Sequence, residues 1–348
     1  MIVAALRDLQ WRRRRFMIAV LGTALVFSMT LVLAGLSAAF VNEIDRTIKT
    51  TGADEWAIAT GATGPFNSSA VLPAGTVAAA RKLPGVTAAD PFVAIGATIP
   101  GDTPKHVTMI GAVPGGVGSP KVDDGHAPTK PGEIAVGSRL GKSIGDTVQM
   151  GDKTFRVVGT VSGSGLYGGM PNVFLTLKDV QALTFGGAPL FTSIAIRGHA
   201  TQPLDGARIV SIAQTKKDLL QSLGSGRQTI NFVAVLLSLV AACIVGSVIY
   251  LSALERVRDF AVFKATGTGT PALLAGLAVQ AVIVSLVAAF IGALLALVLA
   301  PIFPMPAEIP TIAFLVLPVV AVFVGGLSSL AGLRRAITVS PALAFGGA

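Results

Sequence analysis

Residues 252–271 read SALERVRDFAVFKATGTGTP and lie between two long apolar runs, 229–251 and 272–303. The first thirteen of these residues carry five charged side chains, which a hydrocarbon interior would accommodate only at high cost. These side chains are Glu255, Arg256, Arg258, Asp259 and Lys264. The stretch is therefore predicted to connect two membrane spans on one aqueous side of the membrane.

The composition indicates a membrane protein. Of the 348 residues, 52% are hydrophobic and 13% are charged, whereas soluble domains carry about 25% charged residues. A membrane-spanning helix needs about 20 apolar residues. Four segments are long enough and contain no Asp, Glu, Lys, Arg or His: 16–40, 229–251, 272–303 and 311–333. The first also resembles a secretion signal, but its apolar run is longer than the roughly 7–15 residues of such signals, so a retained span is predicted.

A long insert, residues 41–228, separates the first two spans and carries 17 Lys and Arg and 14 Asp and Glu. This balance is typical of a soluble domain. The predicted fold is a membrane α-helical bundle of four spans plus a mixed α/β extracytoplasmic domain inserted between spans 1 and 2. Strands are predicted at 53–60, 106–113 and 191–198, helices at 74–83 and 207–223, a small β-unit at 131–161, and a strand that leads into a short helix at about 177–183.

Orientation follows from the basic residues of the short loops, which are enriched on the cytoplasmic side. Ten basic residues flank the spans at both termini and in 252–271, and none occurs in the loop 304–310. They are Arg7, Arg12, Arg13, Arg14, Arg15, Arg256, Arg258, Lys264, Arg334 and Arg335. Both termini and the 252–271 loop are therefore predicted in the cytoplasm. The net charge of +9 is explained by topology and attraction to anionic lipid, and no nucleic-acid partner is predicted.

The predicted boundaries divide the chain into eight parts. An amphipathic cytoplasmic helix at 1–15 precedes the first span, and a cytoplasmic tail at 334–348 follows the last. Span 2 occupies 229–254, and a coupling helix with its turn occupies 255–271. The extracytoplasmic domain and the other spans have the ranges already given.

Motifs for catalysis and nucleotide binding are absent from the sequence. It has no HExxH, CxxC or GxSxG, and no GxxxxGK[ST] loop that would hold phosphates. The histidines His106, His126 and His199 are scattered, and the single cysteine, Cys243, lies within a span. No catalytic residue, cofactor or metal site is predicted. Because the spans also lack the ionisable residues of proton-coupled and ion-coupled carriers, the energy for any transport is expected from another protein.

Small residues recur at four-residue spacing in the last two spans, which lets helices approach closely. They are Ala288, Gly292 and Ala296 in one span and Gly325 and Ser329 in the next. Packing within the bundle and a dimer interface both explain this pattern. The amide of Gln280 is expected to bond to another helix, with a substrate contact as the alternative.

The 252–271 loop is predicted to hold a short, stiff helix that extends span 2. Ion pairs are expected between Glu255 and Arg258 and between Arg256 and Asp259, which are three residues apart. Phe260 and Phe263 fall on one side and form an aromatic face. Gly267 is expected to end the helix, and Thr270 to cap the next one, with Pro271 at its first position. This design suits a lever that docks into another protein, and an interfacial hairpin is the alternative.

Four segments resemble the MacB/FtsX-type ABC permeases, the type VII or mechanotransmission family. LERVRDFAVFKATGTGTPALLAGL (254–277) is similar to their cytoplasmic loop, and RRAITVSPALAF (334–345) to their ending. GEIAVGSRLGKSIGDTVQMGDKTFRVVGTV (132–161) resembles their extracytoplasmic β-unit, and LPGVTAADP (83–91) resembles a turn of the same domain. The order of one span, a large domain and three spans also agrees.

The resemblance implies a non-catalytic permease subunit in a bacterial cell (inner) membrane. A homo- or heterodimer would engage separate cytoplasmic ATPases that bind ATP and Mg, and the motion would export or extract a lipidic or amphipathic substrate. The alternative is a scaffold that activates an extracytoplasmic partner, such as a cell-wall hydrolase, without transport; a membrane enzyme is a further, less favoured class. The residues expected to dock the ATPase are Glu255, Arg256, Arg258, Asp259, Phe260, Phe263, Lys264 and Gly267.

Overall fold

The computed structural model describes residues 11, 13–101, 103–167, 169–267, 269–302 and 307–338. Residues 1–10 and 12 of the helix predicted at 1–15, and residues 339–348 of the tail predicted at 334–348, lie outside the described residues. The chain forms two compact units. We call Phe40–Ser225 the sheet unit, and we call the described parts of Met1–Ala39 and Gly226–Ala348 the helical unit.

Eight α-helices occur in the described residues, four of them long and apolar enough to cross a membrane. The four are α1, α5, α7 and α8, so the predicted four-span fold is confirmed. In chain order the helices are α1 (Arg13–Thr51), α2 (Gly75–Ala80), α3 (Leu177–Phe185), α4 (Ile212–Ser222), α5 (Gly224–Glu255), α6 (Val257–Ala265), α7 (Thr270–Leu299) and α8 (Thr311–Thr338).

The helical unit is held together by close contacts between small residues. A Cβ added at Gly292 of α7 would lie 2.8 Å from the Ala24 carbonyl oxygen of α1. A Cβ added at Gly325 of α8 would lie 2.8 Å from Val282 Cα of α7. Lipid tails are as apolar as leucine, so such van der Waals packing drives helix association in membranes.

Eleven strands form the sheet of the sheet unit, in the order β11-β1-β10-β2-β3-β9-β5-β7-β4, with β6 paired to β7 and β8 paired to β9. The strands are β1 (Glu55–Ala59), β2 (Val86–Ile99), β3 (Lys105–Ala112), β4 (Asp124–Gly125), β5 (Glu133–Gly137), β6 (Thr147–Met150), β7 (Lys153–Val161), β8 (Gly165–Leu166), β9 (Met170–Thr176), β10 (Ser193–Gly198) and β11 (Ala207–Ser211). With three short helices beside this sheet, the predicted mixed α/β insert is confirmed.

The longest strand, β2, was not predicted, and it contains Pro91. Proline has no N–H for a ladder and is normally confined to sheet edges. In β2 the segment Val86–Phe92 pairs with β10, and Phe92–Ile99 pairs with β3. Pro91 therefore has a strand neighbour on one side only, as a residue at a sheet edge does.

Three other elements differ from prediction. The helix predicted at 207–223 begins only at Ile212, because residues 207–211 form β11 and pair with β1. The helix predicted at 74–83 is shorter in the structure, because α2 spans only Gly75–Ala80. The glycine-rich segment 162–171, for which no strand was predicted, holds β8 and the start of β9, which pair as a hairpin.

Apolar side chains fill both faces of the sheet. One face carries Val93, Ile134 and Val173 among its buried residues, with Val180 of α3 packed on it. The other buries Trp56 and Phe92 under Ile48 of α1 and Leu219 of α4. The last turns of α1 are thus part of the core of the sheet unit.

Two groups of the sheet unit have shifted pKa values. Backbone N–H donation from Thr129, aided by Lys130, lowers the pKa of the Glu133 carboxyl below its usual value. Burial raises the pKa of Tyr167 to about 12, and its hydroxyl donates to the Phe66 carbonyl oxygen at 3.1 Å. Both groups fasten loops of the sheet unit.

Replacement of either of two adjacent glycines of α8 by alanine should affect stability in opposite ways. Gly325→Ala places a Cβ against Val282 backbone atoms and should destabilise the chain by about 1–3 kcal/mol through overpacking. Gly326→Ala meets no atom within 4 Å and should be neutral or slightly stabilising, since alanine is the better helix former. Unfolding of the full chain in mixed micelles measures both, and equal stabilities would contradict the packing described.

Candidate functional site: the helix between spans 2 and 3

A break at Arg256 makes α6 a separate helix. Arg256 has φ −108° and ψ 20°, so α5 ends at Glu255 and α6 begins at Val257. The expectation that this helix simply extends span 2 is therefore wrong. Two helices that meet at a bend can each keep an apolar side toward the bundle, whereas one straight helix would carry the charged segment away from it.

The C-terminal end of α6 follows the glycine rule. Gly267 has φ +91°, a left-handed conformation that glycine adopts without steric cost, and its N–H donates to the Lys264 carbonyl oxygen at 3.1 Å. The N-cap of α7 is Gly269 without a side-chain cap, and Thr270 is already helical. The predicted cap by Thr270 is therefore wrong, while Pro271 does lie in the first turn of α7.

One side of α6 is buried in the helical unit. Phe260 is 3% exposed and Ala261 is fully buried, within a cluster that includes Phe16 of α1, Val245 of α5 and Leu277 of α7. Val257 and Phe263 are half-buried against the same cluster. The predicted aromatic face therefore points into the chain's own bundle, because apolar side chains from three spans surround it.

Charged residues at the bend link α6 to its neighbours. Arg15 Nη1 of α1 donates to Glu255 Oε1 at 2.7 Å, in place of the predicted pairing of Glu255 with Arg258. The predicted pair of Arg256 and Asp259 is present, with 3.5 Å between Nε and Oδ2. The Arg256 guanidinium also lies 5.7 Å from the centroid of the Phe260 ring, within the range of a cation–π contact.

The opposite side of α6 is exposed. Arg258, Asp259 and Val262 lie on it, and the exposed residues 265–267 continue it, whereas Lys264 is half-buried. Val262 is 49% exposed and lies roughly 200° around the helix axis from Phe260. We call Arg258, Asp259 and Val262 the exposed face of α6. Val262 was missed at the sequence level, although its position opposite Phe260 is readable from helical periodicity.

The small residues predicted for packing or dimerisation lie mostly inside one chain. Ala288 and Ala296 are fully buried, and Gly292 contacts α1. Gly325 contacts α7, whereas Ser329 is half-buried and its hydroxyl donates to the Gly326 carbonyl oxygen at 2.6 Å. The contacts of the first four residues are those of the chain's own bundle. Gln280 is also buried there, at 1% exposure.

An apolar groove of about 570 Å³ lies between α1, α5 and α8. Among the described residues that line it, Thr30 and Ser238 are polar and the rest are apolar, such as Leu31, Leu239 and Val320. In contrast, no group of three or more His, Cys, Asp or Glu with metal-binding geometry occurs among the described residues.

Family models match two consecutive parts of the chain. The MacB-like periplasmic core domain matches residues 17–210, and the FtsX-like permease C-terminal region matches residues 231–341. An uncharacterized ABC transporter permease of Mycobacterium tuberculosis (strain ATCC 25618 / H37Rv) is 48% identical over 348 residues, with all of both chains covered. A second such permease of the same strain is 46% identical over the same length.

More distant similarities involve one further permease and one solved structure. A putative hemin transport system permease protein, HrtB, of Staphylococcus haemolyticus (strain JCSC1435) is 22% identical over 255 residues, covering 71% of this chain and 69% of that protein. The crystal structure of the periplasmic region of MacB from Actinobacillus actinomycetemcomitans has a TM-score of 0.34 and 14% identity, covering 50% of this chain and 96% of that one.

Substitutions on the two sides of α6 should have different effects on stability. Phe260→Ala leaves a cavity among three spans and should destabilise the chain by about 3 kcal/mol. Val262→Ala removes an exposed side chain and should change stability by less than about 0.5 kcal/mol. Unfolding of the purified chain in mixed micelles measures the difference. A Phe260→Ala variant as stable as its parent would mean that α6 is not packed on the bundle.

Proposed function

The chain belongs to the ABC transporter permeases that combine a MacB-like periplasmic core domain with an FtsX-like C-terminal region, and we propose that α6 docks a separate cytoplasmic ATPase. ATP binding and hydrolysis by that partner then move the spans and the sheet unit. The observation that carries the proposal is the two-sidedness of α6: Phe260 and Ala261 are buried in the bundle, and Arg258, Asp259 and Val262 are exposed.

A docking helix must transmit force as well as bind. The buried side of α6 packs against α1, α5 and α7, so a push on the exposed face reaches three spans at once. Arg15 and Glu255 add a charged link between α1 and the bend. An interfacial hairpin would also bury an apolar side, but it would place that side against lipid, whereas Phe260 is enclosed by protein.

The proposal places ATP and Mg in the partner ATPase and none in this chain, which acts as a non-catalytic subunit. It is supported by the lack of a phosphate-binding loop in the sequence and by the uncharged spans. Ten basic residues flank the spans on one side and support a bacterial inner-membrane topology with both termini cytoplasmic. A second permease copy, identical or related, would complete the complex. It would bind elsewhere than at Ala288, Gly292 and Ala296, which are buried in the chain's own bundle.

For the cargo we propose an acyl chain or another apolar tail of an amphipathic molecule, exported or extracted from the membrane. The groove between α1, α5 and α8 has no charged lining residue and opens between membrane spans. Such a surface binds hydrocarbon and offers almost no hydrogen bonds to a polar solute. The Staphylococcus relative is named a putative hemin transport system permease protein, and hemin is also an amphipathic molecule with a large apolar part.

The alternative function, activation of an extracytoplasmic partner such as a cell-wall hydrolase without transport, uses the same docking helix. The last turns of α1 are buried in the sheet unit, so motion of α1 would move that unit. This supports activation of a partner as well as it supports transport, because activation requires only that the domain moves. The two functions differ in whether the apolar groove is used.

Docking is tested with the double substitution Arg258→Glu and Val262→Asp on the exposed face. The amount of ATP-hydrolysing chain that co-purifies should fall at least tenfold, which corresponds to about 1.4 kcal/mol of binding free energy. Arg14→Ala, an exposed residue of α1, is the matched control and should retain the ATPase. Equal recovery of ATPase with the double variant, at unchanged insertion and stability, would refute docking through α6.

The groove is tested with the fluorescent fatty acid cis-parinaric acid and the substitution Val320→Trp. An indole side chain at this lining position should occupy the groove and weaken binding about tenfold. Val322→Trp, on the same helix but outside the groove lining, is the matched control and should bind as the parent does. Parent-like binding by Val320→Trp would remove the support for an apolar cargo and favour the activation function.

A further inference from the structure

A buried carboxylate lies in the C-terminal part of α1, within the sheet unit. Past the apolar run that ends at residue 40, the sequence of α1 becomes NEIDRTIKTT. Ile44 and Ile48 are 1% exposed and pack on the sheet, and Glu43 and Thr47 lie on the same side and are equally buried. Burial of a carboxylate costs several kcal/mol unless a partner compensates it. Apolar side chains at positions 43 and 47 would have packed on the sheet without this cost.

Glu43 is compensated by an ion pair to Arg139. Arg139 lies in the 3₁₀ turn Ser138–Leu140, directly after β5. The side chains are 3% and 21% exposed, so both charges are largely withdrawn from water. This is one fixed point between α1 and the sheet.

Thr47 makes a second, independent set of bonds to the β8–β9 hairpin. Its hydroxyl donates to the Gly165 carbonyl oxygen at 2.9 Å and accepts from the Gly165 N–H at 3.2 Å. It also accepts from Asn172 Nδ2 at 3.1 Å, and Asn172 in turn donates to Ser164 Oγ at 2.9 Å. Asn172 is fully buried, so these bonds are not shared with solvent.

Two glycines of the hairpin let it lie directly against α1. A Cβ at Gly165 would lie 2.9 Å from Glu43 Oε1, and a Cβ at Gly163 would lie 2.5 Å from Arg46 Nη1. Gly163 also has φ +61°, where a side chain is strained. A side chain at Gly165 would have to displace the Glu43 carboxylate, and one at Gly163 would have to displace the Arg46 side chain.

We propose that Glu43, Thr47, Arg139 and Asn172 form a polar lock that fixes α1 in one register on the sheet, so that this part of α1 and the sheet turn as one body. Apolar contacts through Ile44 and Ile48 are non-directional and would tolerate sliding or rotation. An ion pair to the turn after β5 and hydrogen bonds to the β8–β9 hairpin tolerate neither, because any displacement leaves a buried charge unpaired. The four side chains are positioning residues.

The link to transport rests on the proposed function, since α1 must carry the motion that ATP hydrolysis produces. The lock itself is a statement about one helix and one sheet and can be measured without ATPase or cargo. Failure of docking through α6 would therefore leave the lock standing, and failure of the lock would leave docking standing.

The experiment measures the distance between α1 and the sheet in the full chain. In a Cys243→Ser background, Lys49→Cys and Lys153→Cys place spin labels on exposed positions of α1 and β7. Double electron–electron resonance should give one narrow distance for this parent. The double substitution Glu43→Leu with Arg139→Met replaces the ion pair by apolar groups of similar size, which often preserves stability. This double variant should give a broader distribution of spin-label distances or a second distance.

Asp45→Leu is the matched control. Asp45 lies two residues from Glu43 on the same helix and pairs with Lys216 Nζ at 2.8 Å, but both side chains are 34% exposed. Loss of the Asp45–Lys216 pair should leave the distance distribution between the two spin labels narrow. Thr47→Val, nearly isosteric, provides a second test if the double variant does not fold, and it should also broaden the distance. A narrow, parent-like distance in either folded variant would overturn the proposal and show that apolar packing alone positions α1.

Discussion

The burial of Phe260 and Ala261 against three spans is the interaction on which the account depends. A charged loop between two membrane helices is free to move unless something attaches it to them. Here the attachment is apolar and enclosed, because Phe16, Val245 and Leu277 come from three different helices. The bend at Arg256 makes this possible, since it turns one side of α6 inward and leaves the charged side outward.

The helical unit is built for close packing and not for ion chemistry. Gly292 and Gly325 bring neighbouring helices to backbone contact, and these contacts would be lost with any larger side chain. The four apolar segments contain no Asp, Glu, Lys, Arg or His. Under the proposed function, a partner supplies the chemistry that drives motion. This chain then contributes α6 as the docking helix, the helical bundle, and α1, which continues into the sheet unit.

Features with a local cause were predictable from sequence. The four spans follow from the exclusion of charge from hydrocarbon, and β1, β3 and β10 follow from alternation of apolar residues. The glycine end of α6 at Gly267 is equally local. Features that depend on distant partners were missed. Residues 207–211 form β11 only because β1 lies beside them. In β2, the pairing with β3 begins only at Phe92, so Pro91 has a strand neighbour on one side only. Periodicity placed Phe260 and Phe263 on one side of a helix but not toward the bundle, and nothing local joins Glu43 to Arg139.

The most direct test of the central claim is purification of the tagged chain from its own cells in mild detergent, with identification of stoichiometric partners and an ATPase assay on the complex. We expect one soluble ATP-hydrolysing chain per permease copy, which forms a photo-cross-link to a reactive residue introduced at Val262 and loses it when that residue is moved to the buried position of Ala261. A chain that purifies without any nucleotide-hydrolysing partner, or an ATPase that cross-links equally from both positions, would contradict docking through α6.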